Sequence, residues 1–338
     1  MQDCARYVEE MTRLRREIHR RPEEGWTEFE TQWKVFRALE ALGWTIRMGL
    51  DVIRPEAVMG RNAELVEKAM VRAAEHGVPE SFLKATGGYT GLTADFDTGC
   101  EGPVTGFRFD MDCVLVEELH DASHLPAAEG FDSEIPGRMH ACGHDCHIAM
   151  MLGTLQILRH MTDDIHGEVR IVFQPSEENG QGAKLMIGTG VLDGVDGAYA
   201  AHIWSEVDAG TVSCEPGPRM ANTDWFRIDV RGTSCHGAMP QRGHDAVMVA
   251  AEIVNALQTI VSREISPYEP AVITVGELHG GTARNVIAGT AYLAGTVRTY
   301  GDKTHEEMPE LMRRIVEHTA AALGAEAELT DYTIANYK

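Results

Sequence analysis

Residues 140–145 read His-Ala-Cys-Gly-His-Asp, and they are followed along the chain by the adjacent carboxylates Glu177 and Glu178 and then by His202. Thiolate, imidazole and carboxylate donors together suit zinc or manganese far better than calcium or magnesium. Taken one at a time, each has an ordinary explanation: a small buried cysteine, a hydrogen-bonded histidine, a solvated acidic pair. Their combination, and the places where they fall, point instead to a metallohydrolase.

Those places are the ends of apolar strands. EVRIVFQ (168–174) is stopped by Pro175 just ahead of the glutamate pair, as expected of a buried parallel strand. GAYAAHI (197–203) carries His202 near its end, and GFRF (106–109) runs into Asp110-Met111-Asp112. Carboxyl ends of strands are where open α/β sheets build their sites. Behind the His-Cys motif, Ile148, Met151, Leu152, Leu155 and Leu158 mark a helix beginning near Asp145.

The supporting elements follow from periodicity. Val8, Met11, Leu14 and Ile18 predict a helix within 4–21, ended by Pro22; Phe29, Trp33, Phe36 and Leu39 predict a second before Gly43. A charged, alanine-containing helix is expected over 62–85, and a strand over 92–96. Strands alternating with helices imply an α/β fold with a mainly parallel sheet flanked by helices. After Pro218 the pattern becomes strand 224–231, helix 244–263, strands 271–278 and 290–299, helix 304–323 and strand 326–332. That βαββαβ order is ferredoxin-like, so a larger domain over 1–217 and a smaller α+β domain over 218–338 are expected.

With 30 basic against 52 acidic residues, the formal charge of −22 argues against a nucleic-acid or anionic-membrane partner. The seven cysteines are odd in number and scattered, which suits a reduced, cytoplasmic chain. No apolar run is expected to span a membrane, and the N-terminus lacks the order of a signal peptide.

FRFDMD, MHACGHDCH, FQPSEENGQGA, AAHIW, GTSCHGAMPQRGHDA and GGTARNVIA stand in the order and at about the spacing of the aminoacylase and carboxypeptidase type of dinuclear metallopeptidases. The chain resembles in particular the branch with hippurate and indole-acetyl-amino-acid hydrolases. The stretch 61–91, with its extra helix before GGYTG, is most similar to the A-subunit branch of p-aminobenzoyl-glutamate hydrolases. The resemblance implies a zinc-peptidase-like fold with two Zn2+ or Mn2+ ions per subunit, held by Cys142, His144, Glu178 and His202. It implies Glu177 as general base and Asp112 as the aspartate orienting a ligand; Asp110 stands where many relatives have a ligand histidine. In the smaller domain it implies His236, Asn285 and Arg298 as substrate contacts. His236 would reach the active site of a neighbouring subunit, giving a homodimer or a heterodimer with a homologous subunit.

Amide hydrolysis needs an activated water, a sink for oxyanion charge and a proton for the leaving amine, and this set of residues supplies all three. The expected reaction is cleavage of an N-acyl amino acid, with p-aminobenzoyl-glutamate to p-aminobenzoate and glutamate preferred. A general N-acyl-amino-acid deacylase or dipeptidase competes within the class; a non-catalytic subunit or interaction protein competes from outside it. Relatives return from the small domain to complete the sheet and supply a further arginine and a ligand histidine, whereas no residue after His318 could be that ligand. The expectation for this chain alone is therefore poor hydrolysis and fewer than two bound metals.

Overall fold

Glu168–Gln174 forms β4, a central strand of a five-stranded sheet in the computed structural model, which describes residues 7–58, 61–179 and 182–335. Its alternation explains its place. Val169, Ile171 and Phe173 pack with Ile18, Leu39, Ile148 and Met151 on one side, while Val172 joins Trp26, Val66, Ala69 and Phe82 on the other. A strand buried on both faces needs helices on both faces, and these are α1 (Val8–His19), α2 (Phe29–Ala41), α3 (Ala63–Glu75), α4 (Glu80–Ala85), α5 (His144–His160) and α6 (Gly182–Ile187).

The sheet order is β1-β2-β4-β3-β5, with β1 Thr45–Met48, β2 Leu92–Asp97, β3 Val104–Asp110 and β5 Gly197–Ala200. β4, β3 and β5 are mutually parallel; β2 is antiparallel to both β4 and β1 and so is the one reversed strand. The sheet is thus mixed but mostly parallel, as the sequence led us to expect. Asp110 pairs with Gln174 and Arg108 with Ala200, which brings the three carboxyl ends side by side. Helix α1 lies close on α5 because Gly153 has no side chain: a Cβ there would stand 2.8 Å from Met11 Sδ.

Three expectations need correction. The helix expected over 62–85 is two helices, because Gly77, at φ +91°, and Pro79 break it between α3 and α4. The strand expected to reach Ile203 ends at Ala200, which leaves His202 in the segment beyond it. Finally, Ala246–Glu264 is long and apolar enough to cross a membrane, contrary to the sequence reading, since Glu252 is its only charge before Arg263. Its face bearing Val249, Ile253 and Leu257 belongs to a protein core.

The chain divides into two compact units, Met1–Thr211 and Val212–Lys338. The second is a four-stranded antiparallel sheet of order β11-β6-β10-β8, formed by β6 Asn222–Arg231, β8 Ala271–Gly280, β10 Thr290–Thr299 and β11 Glu326–Ala335. Helices α7 (Ala246–Thr259) and α8 (Asp302–Ala322) supply Val249, Ile253, Met308 and Met312 to a core with Phe226, Ile228, Leu293 and Val297. The ferredoxin-like order is present as read. A short pair, β7 Cys235–His236 and β9 Val286–Ile287, sets His236 opposite Val286.

Candidate metal centre

The site is assembled by three strand ends and one helix start. Gly143 adopts φ +92°, a conformation that favours glycine, and turns the chain so that His144 opens α5 while Cys142 precedes it. Beyond β3, Asp112 is fully buried and accepts the Glu178 backbone N–H at 3.0 Å through Oδ2. His144 donates from Nδ1 to the Asp112 carbonyl at 2.9 Å, which leaves Nε2 to face Glu177 Oε2 at 3.9 Å and Glu178 Oε1 at 3.8 Å. His202 is held alike: Nδ1 donates to the Ile203 carbonyl at 2.5 Å, and Nε2 lies 3.4 Å from Cys142 Sγ. Fixing one ring nitrogen on a backbone carbonyl is how a protein presents the other to a metal.

Three sets of donors, each with its atoms within 4.8 Å of one another, share His144: Cys142 with His202, Glu177 with Glu178, and Asp110 with His147. Every ligand and base inferred for the first unit is therefore in one place. Asp110, whose role the sequence left open, faces His147 Nδ1 at 3.3 Å and accepts from Arg108 Nη1 at 2.7 Å. His147 is the residue that sequence reasoning missed. It is fully buried, accepts the Ile203 N–H on Nε2 at 3.3 Å, and its ring centroid lies 4.9 Å from that of His144 and 4.6 Å from that of His202. Its spacing of three from His144 at a helix start was the available signal, because such residues share a face.

The donor set fits a cation. His144 Nε2 and Glu178 Oε1 are buried without a hydrogen-bond partner, a costly state that coordination would relieve, while Asp110 Oδ1 is met by the Arg108 guanidinium. The electrostatics agree. Burial alone would lower the His144 pKa, yet hydrogen bonding to Asp112 and Cys142 and the charges of Asp110 and Asp112 push it up to about 11. Burial, reinforced by the charges of Asp110 and Glu178, pushes Glu177 up to about 7. Glu178 is raised for the same first reason. Four carboxylates thus surround His144 and Arg108 is ion-paired with Asp110 alone, a concentration of negative charge that a bound cation would offset.

The substrate contacts inferred for the second unit are exposed. Two are neighbours: the Gly237 N–H donates to the Asn285 carbonyl at 2.9 Å, beside the His236–Val286 pair. Arg298 stands elsewhere, near the end of β10, and donates to Thr223 Oγ1.

A mostly parallel sheet with such a cluster at its carboxyl ends, followed in the chain by a ferredoxin-like unit, defines a zinc-peptidase-like metallohydrolase. Residues 106–325 match the family described as Peptidase family M20/M25/M40. The chain is 38% identical over 323 residues to indole-3-acetyl-aspartic acid hydrolase of Enterobacter agglomerans, covering 95% of this chain and 73% of that one. To a p-aminobenzoyl-glutamate hydrolase subunit of Escherichia coli it is 36% identical over 323 residues, covering 94% of this chain and 73% of that one. Among solved structures, a dinuclear metal-binding M20 peptidase of Bacillus subtilis superposes with a TM-score of 0.73 at 29% identity, covering 98% of this chain and 75% of that one. The chain belongs to the M20/M25/M40 peptidase family, whose members are metal-dependent amidohydrolases and peptidases.

Proposed function

We propose that the protein hydrolyses the amide bond of N-acyl amino acids, with p-aminobenzoyl-glutamate the preferred substrate and p-aminobenzoate and glutamate the products. The observation that carries this reading is the placement of Glu177, half-buried, facing the same His144 nitrogen as its neighbour Glu178. Cys142, His144, Glu178 and His202 would hold Zn2+ or Mn2+, with Asp110 and His147 as the further donors beside them. Bound there, two such ions acidify water and polarise a carbonyl.

The chain's own residues account for the proton. Glu177 accepts it as the water oxygen bonds to the acyl carbon, then gives it to the amide nitrogen as the C–N bond breaks, leaving a carboxylic acid and a free amine. Asp112 fixes both the Glu178 backbone and the His144 ring, so the donors keep their geometry while the proton moves. In the second unit, Arg298 would grip the substrate carboxylate, and Asn285 and His236 would complete its recognition, with His236 donating to the oxyanion across a dimer interface. On that basis residues 1–217 act as the catalytic domain and 218–338 as a lid and dimerisation domain. Six unpaired cysteines among the described residues favour a reducing, cytoplasmic setting.

A hydrolysis panel run with zinc or manganese tests the reading: p-aminobenzoyl-glutamate, indole-3-acetyl-aspartate, hippurate and N-acetyl amino acids, with release of the amine measured. Turnover highest on the aroyl-glutamate supports it. Absence of amide cleavage across the panel refutes it.

A further inference from the structure

A cavity of about 390 Å³ lies in the first unit, lined by Trp26, Leu65, Val66 and Leu115 together with polar side chains that include Asn62 and Glu178. Its size matters first. A dry apolar cavity of about 150 Å³ suffices for benzene, so this one, though partly polar, has room for a substituted aromatic ring and is far larger than an acetyl group requires. Its charge matters next. Among the described residues that line it there is no lysine, arginine or histidine, and Glu24 on its rim is paired with Arg138. That lining disfavours an anionic arm and suits an uncharged one.

The walls are built at some cost. Trp26 has φ +71°, which bulky side chains rarely adopt, and its buried Nε1–H has no hydrogen-bond partner. Beside it Ser176, the residue before Glu177, has φ +55°, and a Cβ on Gly25 would stand 2.6 Å from Ser176 Oγ. Strain that persists in two touching loops, one of which carries the glutamate pair, marks a functional wall. The opposite wall is the start of α3, a helix fastened at both ends. Arg61 donates to the Gly88 carbonyl at 2.7 Å and covers the Tyr89 ring, while Arg72 and His76 reach the buried Glu30 carboxylate at 3.3 and 2.9 Å. Leu65 and Val66 are therefore presented on a rigid support.

We propose that this cavity receives the acyl arm of the substrate and selects a flat, uncharged aromatic acyl group over acetyl, with Leu65 of α3 as a specificity-determining residue. The proposal rests on the reading that the neighbouring centre cleaves N-acyl amino acids. It also makes a claim independent of turnover: neutral aryl amides bind here.

The test uses the full chain loaded with zinc and two variants, Leu65→Trp, which fills the cavity from a half-buried position, and Leu115→Ala, which removes a wall at a side chain 68% exposed. Calorimetric binding of 4-aminobenzamide and acetamide is measured beside kcat/KM for p-aminobenzoyl-glutamate and N-acetyl-glutamate. Leu65→Trp is expected to weaken 4-aminobenzamide binding at least tenfold and to lower the aroyl-to-acetyl ratio of kcat/KM at least tenfold. Leu115→Ala should weaken the aryl amide about threefold. Equal losses on both substrates, or aryl-amide binding unmoved in both variants, would overturn the proposal. Leu65-dependent aryl-amide binding without hydrolysis of either substrate would keep the cavity's ligand class and discard the proposed reaction.

Discussion

Replacing Asp112 by Asn keeps the shape of the side chain and removes its charge, so it separates positioning of the ligands from packing. In the structure the carboxylate accepts the Glu178 N–H at 3.0 Å and stands 3.3 Å from His144 Nδ1, with no exposed surface. Hydrogen bonds to a charged group contribute about 1.5–3 kcal/mol. At about 1.4 kcal/mol per factor of ten, that predicts a loss of metal affinity of roughly 10- to 100-fold, the range found when partners behind metal ligands are removed. The metal-free protein should change much less. Asp112 repels the buried Glu28, whose pKa is raised well above the carboxylate range first by burial and then by that charge, so relieving the repulsion offsets the lost hydrogen bond. The assay is competitive zinc titration against a chromophoric chelator, paired with chemical denaturation in EDTA. Zinc affinity within twofold of wild type, with a metal-free protein clearly destabilised, would show that Asp112 serves the fold and not the metal.

Two further outcomes are expected. If Cys142 is a ligand, coordination displaces its thiol proton, so maleimide should label it much faster in chelated protein than in zinc-loaded protein; equal rates, read by mass spectrometry at this residue, return it to a packing role. His19, buried among other ionisable groups, gives a pH signature. Burial lowers its pKa, but hydrogen bonds to Asp145 at 2.8 Å and Glu118 at 3.0 Å outweigh this and the charge of Arg15, leaving it raised above 6.5. Its contribution to stability is complete below about pH 6.5 and fades as pH rises through the raised value, while that of the lowered Asp145 and Glu118 is lost in acid. The stability gap between wild type and His19→Gln should therefore be widest near about pH 5–6 and narrow above it, and a gap constant from acid to alkaline pH would remove the charged pair from the account.

Much of this was legible in the chain. β4 and β3 could be read because Val169, Ile171, Val172 and Phe173, and likewise Phe107 and Phe109, concentrate apolar residues in short stretches despite Arg170 and Arg108, and Pro175 marked where the glutamates leave the sheet. The βαββαβ order of the second unit was equally plain in its alternating periods. The reversal of β2 was not, since side-chain periodicity carries no strand direction. The break between α3 and α4 was announced by Gly77 and Pro79 but lay inside a continuous charged pattern. His147 was passed over because a histidine on a helix has an ordinary structural use; only the fold shows its ring against those of His144 and His202. The cavity beside Trp26 depends on the close approach of segments distant in sequence, which no local pattern encodes.

The central claim is that Glu177 moves the proton while its neighbours hold the metal. It is tested most directly by measuring turnover and metal content together in Glu177→Gln. The account predicts a fall in kcat on the order of a hundredfold or more with metal content unchanged. Loss of metal from that variant, or turnover within a few-fold of wild type, would contradict it.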